Sequence, residues 1–150
     1  MIFLSTFIHA SSHTSEFMTK PMILIVDDDP DSADALGLVV EMRFPDSAVA
    51  VSYASPEALD IASRQRPDLA LLDMEMPEGG GEALARALRE MYPDETPLLI
   101  AVSANTVLLN LVRVHGIFDQ FISKPIDVSA LVRMVGRRLA VIDDNPSRVP

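Results

Sequence analysis

The chain has 150 residues, no cysteine and a formal charge of −10, with 49% hydrophobic and 23% charged residues. That length and apolar content suffice for one packed core, and the lack of cysteine excludes a disulfide framework, a thiolate nucleophile and a cysteine zinc site. The acidic balance, with no basic run along the chain, argues against binding to a phosphate backbone.

Met1 to Ala10 is an apolar run of signal-peptide length, but no Lys or Arg precedes it, which argues against secretion. Residues 1–20 are expected to form a poorly ordered extension, with Met18 or Met22 as alternative starts of translation. No run of 18 apolar residues exists, so no membrane span is expected and the cytoplasm is the expected location. Met22 to Val26 is a short apolar run ending in acids, suited to a strand buried on both faces of a parallel sheet. Pro30 and Asp31 open a segment, Ser32 to Met42, whose Ala35, Leu36, Val39 and Val40 recur at helical spacing. Ala48 to Tyr53 is a second strand, and Ser55-Pro56 reads as an N-cap with a first-position proline for a helix through Ser63. Asp68 to Met74 is a third strand, followed by a loop with Gly79-Gly80-Gly81 and a helix over Glu82 to Met91. Leu98 to Val102, a helix over Asn105 to Val114, Phe118 to Ser123, and a last helix capped by Asp127 and ending near Ile142 complete the chain.

Five strands in strict alternation with five helices predict an α/β fold, a doubly wound parallel sheet with helices on both faces. In such sheets ligands bind outside the carboxyl ends of the strands. Four features fall there: Asp27-Asp28-Asp29 after the first strand, Asp73 after the third, Ser103 after the fourth and Lys124-Pro125 after the fifth. Carboxylates brought together repel unless a cation sits among them, and oxygen donors at an open site favour Mg²⁺. The chain has only two lysines, so a lysine right after a strand suggests a need for a compact ammonium.

These runs carry a resemblance. ILIVDDDP (Ile23 to Pro30), LALLDMEMP (Leu69 to Pro77), AVSA (Ala101 to Ala104) and ISKPI (Ile122 to Ile126) stand in the order of the receiver domains of two-component response regulators, which the chain resembles over roughly Pro21 to Ile142. The resemblance implies a flavodoxin-like strand order of 2-1-3-4-5, a receiver domain over residues 21–142 and a short tail over 143–150. It implies that Asp73 is the phosphoacceptor, with Asp28, Asp73 and the Glu75 backbone carbonyl as Mg²⁺ ligands and Asp27 in the outer shell. Ser103 would bind a phosphoryl oxygen through its hydroxyl, and Lys124 would pair with Asp73 before transfer and with the phosphoryl group after it. Phe121 would be the aromatic switch that moves as Ser103 is drawn inward, and Lys124-Pro125 would be a cis peptide.

The implied protein is a signalling phosphoacceptor rather than an enzyme. It would be charged by a histidine kinase or a histidine phosphotransfer protein, and would act on a downstream protein, or on itself, through the face of the fourth helix, fifth strand and fifth helix. Nothing after Ile142 can build an output domain, so a single-domain regulator is expected, with no nucleic-acid or membrane partner. Each residue also has an ordinary role open to it: the acids as turn residues or caps, Lys124 as a solvated lysine, Ser103 at the start of a helix, Phe121 in the core. Two other readings stay open, a pseudo-receiver that is never phosphorylated and a Mg²⁺-dependent aspartyl phosphohydrolase. The latter normally wants a second acid two residues after its nucleophile, where Glu75 gives a faint echo. Val107, Leu108, Leu109, Leu111, Val112 and Val114 exceed what one core-facing helix side needs, so an exposed apolar remainder is expected there.

Overall fold

A computed structural model describes residues 19–145; most of the expected N-terminal extension and C-terminal tail, residues 1–18 and 146–150, lies outside the described residues. The elements alternate without exception: β1 (Met22–Val26), α1 (Pro30–Arg43), β2 (Ala48–Ser52), α2 (Ser55–Arg64), β3 (Leu69–Asp73), α3 (Gly80–Met91), β4 (Leu98–Ser103), α4 (Thr106–His115), β5 (Gln120–Ser123) and α5 (Val128–Asp143). All strands are parallel in the order β2-β1-β3-β4-β5, as the resemblance implies. Among the described residues no helix is long and apolar enough to cross a membrane.

Continuous apolar strands are explained by burial on both faces. Along β1, Met22, Leu24 and Val26 enter one core with Leu84, Leu88, Leu109 and Val112 from α3 and α4, while Ile23 and Ile25 enter a second with Val40 from α1 and Leu131 and Val135 from α5. Strands β3 and β4 divide in the same way, Leu72 and Leu99 to the first core, Leu71 and Ile100 to the second. With side chains alternating at period two, every position of these strands must be apolar until the chain leaves the sheet. The first polar residue after each run is therefore forced to the carboxyl edge.

Several expected boundaries shift for physical reasons. Helix α1 starts at Pro30, whose missing N–H is one of the unpaired donors of a first turn. Ser55 is not the cap of α2: Ala54 holds the extended cap position and Ser55 begins the helix. The expected strand from Phe118 shortens to Gln120–Ser123, and Phe118, 6% exposed, packs into the first core from the loop. Asp127 caps α5 as expected, its Oδ1 accepting from the Ala130 amide at 3.1 Å. The largest departure is at the three glycines. Gly80 and Gly81 are no part of a loop but form the first turn of α3, with Gly79 left-handed at φ 91° in the cap position.

Candidate functional site

The sheet order reverses between β1 and β3, and that crevice receives Asp27 and Asp28 from one side and Asp73 from the other. Carboxylate oxygens of Asp27, Asp28 and Asp73 all lie within 4.8 Å of one another. Asp27 and Asp73 are buried, at 6% and 5% exposure, whereas Asp28 opens to solvent. Asp29, the third acid of the run, caps no backbone amide; its Oδ2 accepts from the Ser32 hydroxyl at 2.6 Å at the start of α1.

Lys124, carried in from β5 next to a cis Lys124–Pro125 peptide, reaches both buried acids. Its Nζ lies 3.0 Å from Asp27 Oδ2 and 3.7 Å from Asp73 Oδ1, so its closer partner is Asp27 rather than the expected Asp73. The hydrogen bonds account for this preference. Asp73 Oδ1 already accepts the Glu75 amide at 3.2 Å, while Asp27 takes the Asp29 amide on Oδ1 at 3.0 Å and leaves Oδ2 for the ammonium.

One ammonium does not neutralise three carboxylates. Burial is the main cause that pushes the Asp73 carboxyl up to about 6, relieved by the Glu75 amide and raised again by the charge of Asp27, with Lys124 acting to lower it. Burial alone would lower Lys124, but the hydrogen bond it donates to Asp27 and the charges of Asp73 and Asp27 outweigh it and hold the ammonium above its ordinary value. The cluster is thus short of positive charge, and its all-oxygen donor set with one solvent-facing member is what a hard divalent cation fits.

Ser103 ends β4 with no exposure, and its Oγ accepts the Asn105 amide at 2.9 Å and donates to Glu75 Oε1 at 3.2 Å. The cap of α4 is Asn105, whose Oδ1 accepts from Leu108 at 3.0 Å, so Ser103 does not start the helix. The side chain of Glu75 turns toward Ser103, a contact the sequence alone did not reveal. Phe121 is half-buried against the first core, its ring 6.3 Å from that of Phe118, with the Arg113 guanidinium of α4 lying 4.7 Å above it.

The glycines of α3 belong to this site. A Cβ on Gly80 would stand 2.4 Å from the Met74 carbonyl oxygen, and one on Gly81 2.5 Å from that of Asp73. Only glycine lets the start of α3 lie this close to the backbone that carries Asp73. Gly81→Ala is expected to lower stability by about 1–3 kcal/mol, as overpacking against backbone does, which chemical denaturation would measure. A loss no larger than that of an alanine placed at exposed Ala-compatible surface sites would contradict this packing.

Comparison with known proteins identifies the family. A family model described as the response regulator receiver domain matches residues 23–136. An uncharacterized 14.6 kDa protein from the sodA1 3′ region of Leptolyngbya boryana is 34% identical over 114 residues, covering 75% of this chain and 86% of that protein. The DNA-binding response regulator MtrA of Mycolicibacterium smegmatis is 32% identical over 131 residues, covering 87% of this chain, which spans only 55% of MtrA. The signal receiver domain of a DNA-binding response regulator (merR) from Colwellia psychrerythraea 34H superposes with a TM-score of 0.72 at 22% identity, covering 80% of this chain and 98% of that one, a likeness of fold. The chain belongs to the response regulator receiver domain family.

Proposed function

We propose that the protein takes up a phosphoryl group on Asp73 from a phosphohistidine donor and signals through a changed protein contact. The observation that carries this reading is the meeting of Asp27, Asp28 and Asp73 within 4.8 Å, with Lys124 reaching two of them. Asp28 and Asp73 would hold Mg²⁺, with Asp27 beside them and the Glu75 carbonyl as the further ligand implied by the family. When bound, the ion supplies positive charge at the phosphoryl oxygens.

The remaining steps belong to the chain's own residues. An Asp73 carboxylate oxygen attacks phosphorus, the new O–P bond forms as the donor's N–P bond breaks, and the imidazole, protonated by solvent on its other ring nitrogen, leaves as the neutral base. Lys124, already 3.7 Å from Asp73, follows the charge onto the transferred oxygens. Ser103 can donate to one of those oxygens on exchanging its Glu75 partner for it. A histidine kinase or a histidine phosphotransfer protein would be the donor.

The test is to incubate the protein with phosphoramidate, whose P–N bond imitates the donor, in the presence of Mg²⁺ and then of excess chelator. One added phosphate that chelation abolishes is expected; no uptake under either condition would support the pseudo-receiver. A second expectation concerns the lifetime of the product. Glu75→Gln weakens the hold on Ser103 by removing the charge of its acceptor and also removes a carboxylate able to orient water, so loss of phosphate should slow about tenfold. Equal decay of variant and wild type would remove Glu75 from the mechanism.

Output is assigned to the face of α4, β5 and α5. Val107, Leu111 and Val114, at 76%, 56% and 84% exposure, form one outward stripe on α4, while Leu109 and Val112 turn to the core. That is the exposed apolar remainder expected from the sequence, and it supports a protein contact there.

A further inference from the structure

The chain is acidic, but its acids and bases are not mixed evenly. Residues 104–138 contain four arginines and one lysine against only Asp119 and Asp127, two of the chain's 22 acids. The fold gathers three of these arginines. Arg133, Arg137 and Arg138 of α5 border a groove of about 400 Å³ whose floor includes Leu98 at the start of β4, Met134 and Val141. The charge of this patch comes from α5 alone, and the sheet edge adds Leu98 and Gln120 to its lining.

Two of these arginines lack an acidic partner, as Arg43 of α1 also does among the described residues. In α2 and α3, Arg64 pairs with Asp60 at 2.7 Å and Arg86 with Glu82 at 2.8 Å, and Arg89 lies 3.6 Å from Asp119. Arg133 and Arg137 have no acid or hydrogen-bond acceptor among the described residues, and Arg138 donates only to the Asp68 carbonyl at 3.3 Å. In a protein with nearly twice as many acids as bases, two exposed arginines one helical turn apart and both unpaired mark a surface that meets negative charge from outside.

We infer that the groove between α5 and the edge strand β5 binds an acidic peptide segment of a partner protein, with aliphatic side chains on the Leu98–Met134–Val141 floor and carboxylates on Arg133 and Arg137. The apolar floor decides the class of partner. A nucleic-acid backbone would use the arginines but leave Val141, 61% exposed, against water or phosphate. An amphipathic acidic segment covers both kinds of surface at once. The inference names the partner chemistry for the output reading above and rests on that reading only for any effect of phosphorylation.

The test uses the full chain and a labelled amphipathic peptide of glutamate and leucine at helical spacing, read by fluorescence anisotropy. Binding that weakens with salt is expected, and Arg133→Glu/Arg137→Glu should weaken it about tenfold or more. Val141→Asp, which leaves all three arginines in place, should weaken it as well. No binding, a Val141→Asp variant equal to wild type, or tighter binding of a labelled DNA duplex would each overturn the proposal. Thermal unfolding of both variants at the wild-type temperature confirms that the surface, not the fold, was changed. Peptide binding that persists in Asp73→Asn supports the groove on its own, whether or not the phosphoacceptor reading survives.

Discussion

Lys124→Ala is expected to slow phosphoryl uptake by about 10²-fold or more, the scale on which single electrostatic stabilisers act at reacting centres. Lys124 is the one cationic side chain within reach of Asp27 and Asp73 among the described residues, at 3.0 and 3.7 Å. The transferring group gathers negative charge at a site that already holds three carboxylates, so loss of the ammonium acts on the transition state more than on the resting protein. Lys124→Arg keeps the charge but replaces a compact ammonium with a planar fork, and should recover only part of the rate. Initial rates of phosphate incorporation at saturating Mg²⁺ measure this directly. Rates within about twofold of wild type for the alanine variant would leave Lys124 with a structural role only.

Asp73→Asn is expected to stabilise the metal-free protein by about 1–3 kcal/mol at neutral pH. The Asp73 carboxyl stands at about 6, above its ordinary 3.8, chiefly because burial opposes its ionised form. A raised carboxyl holds its proton in the folded state after the unfolded state has released it, so its contribution to stability declines as pH climbs from about 4 to about 6 and stays low above that. Asparagine has no charge to bury, and the decline should vanish with it. Mg²⁺ should raise the melting temperature of wild type more at pH 8 than at pH 5, where Asp73 is largely protonated, and should do little for the variant. Denaturation curves across this pH range, with and without Mg²⁺, provide the check. A variant less stable than wild type in chelator at pH 8 would contradict the charge crowding described for the site.

The strands and the acidic edge were legible because both follow from burial. A short uninterrupted run such as Ile23 to Val26 suits a strand covered on both faces, and the first acids beyond it then stand at the sheet's end. Lys124 and Ser103 were placed by the same rule. What escaped the sequence depends on approach between distant backbones. Gly80 and Gly81 read as a loop because their helical role is set by the carbonyls of Met74 and Asp73, which no local pattern reveals. The preference of Lys124 for Asp27 depends on which oxygens the Asp29 and Glu75 amides already occupy. Arg133 and Arg137 carry no local signal, because the groove they border takes Leu98 from the distant start of β4.

The role of Asp73 is tested most directly by intact-protein mass measurement followed by peptide mapping. After incubation with Mg²⁺ and a small acyl phosphate donor, wild type should gain one phosphate carried by the peptide that contains Asp73, and Asp73→Asn should gain none. Phosphate on any other residue, or equal uptake by Asp73→Asn, would contradict it.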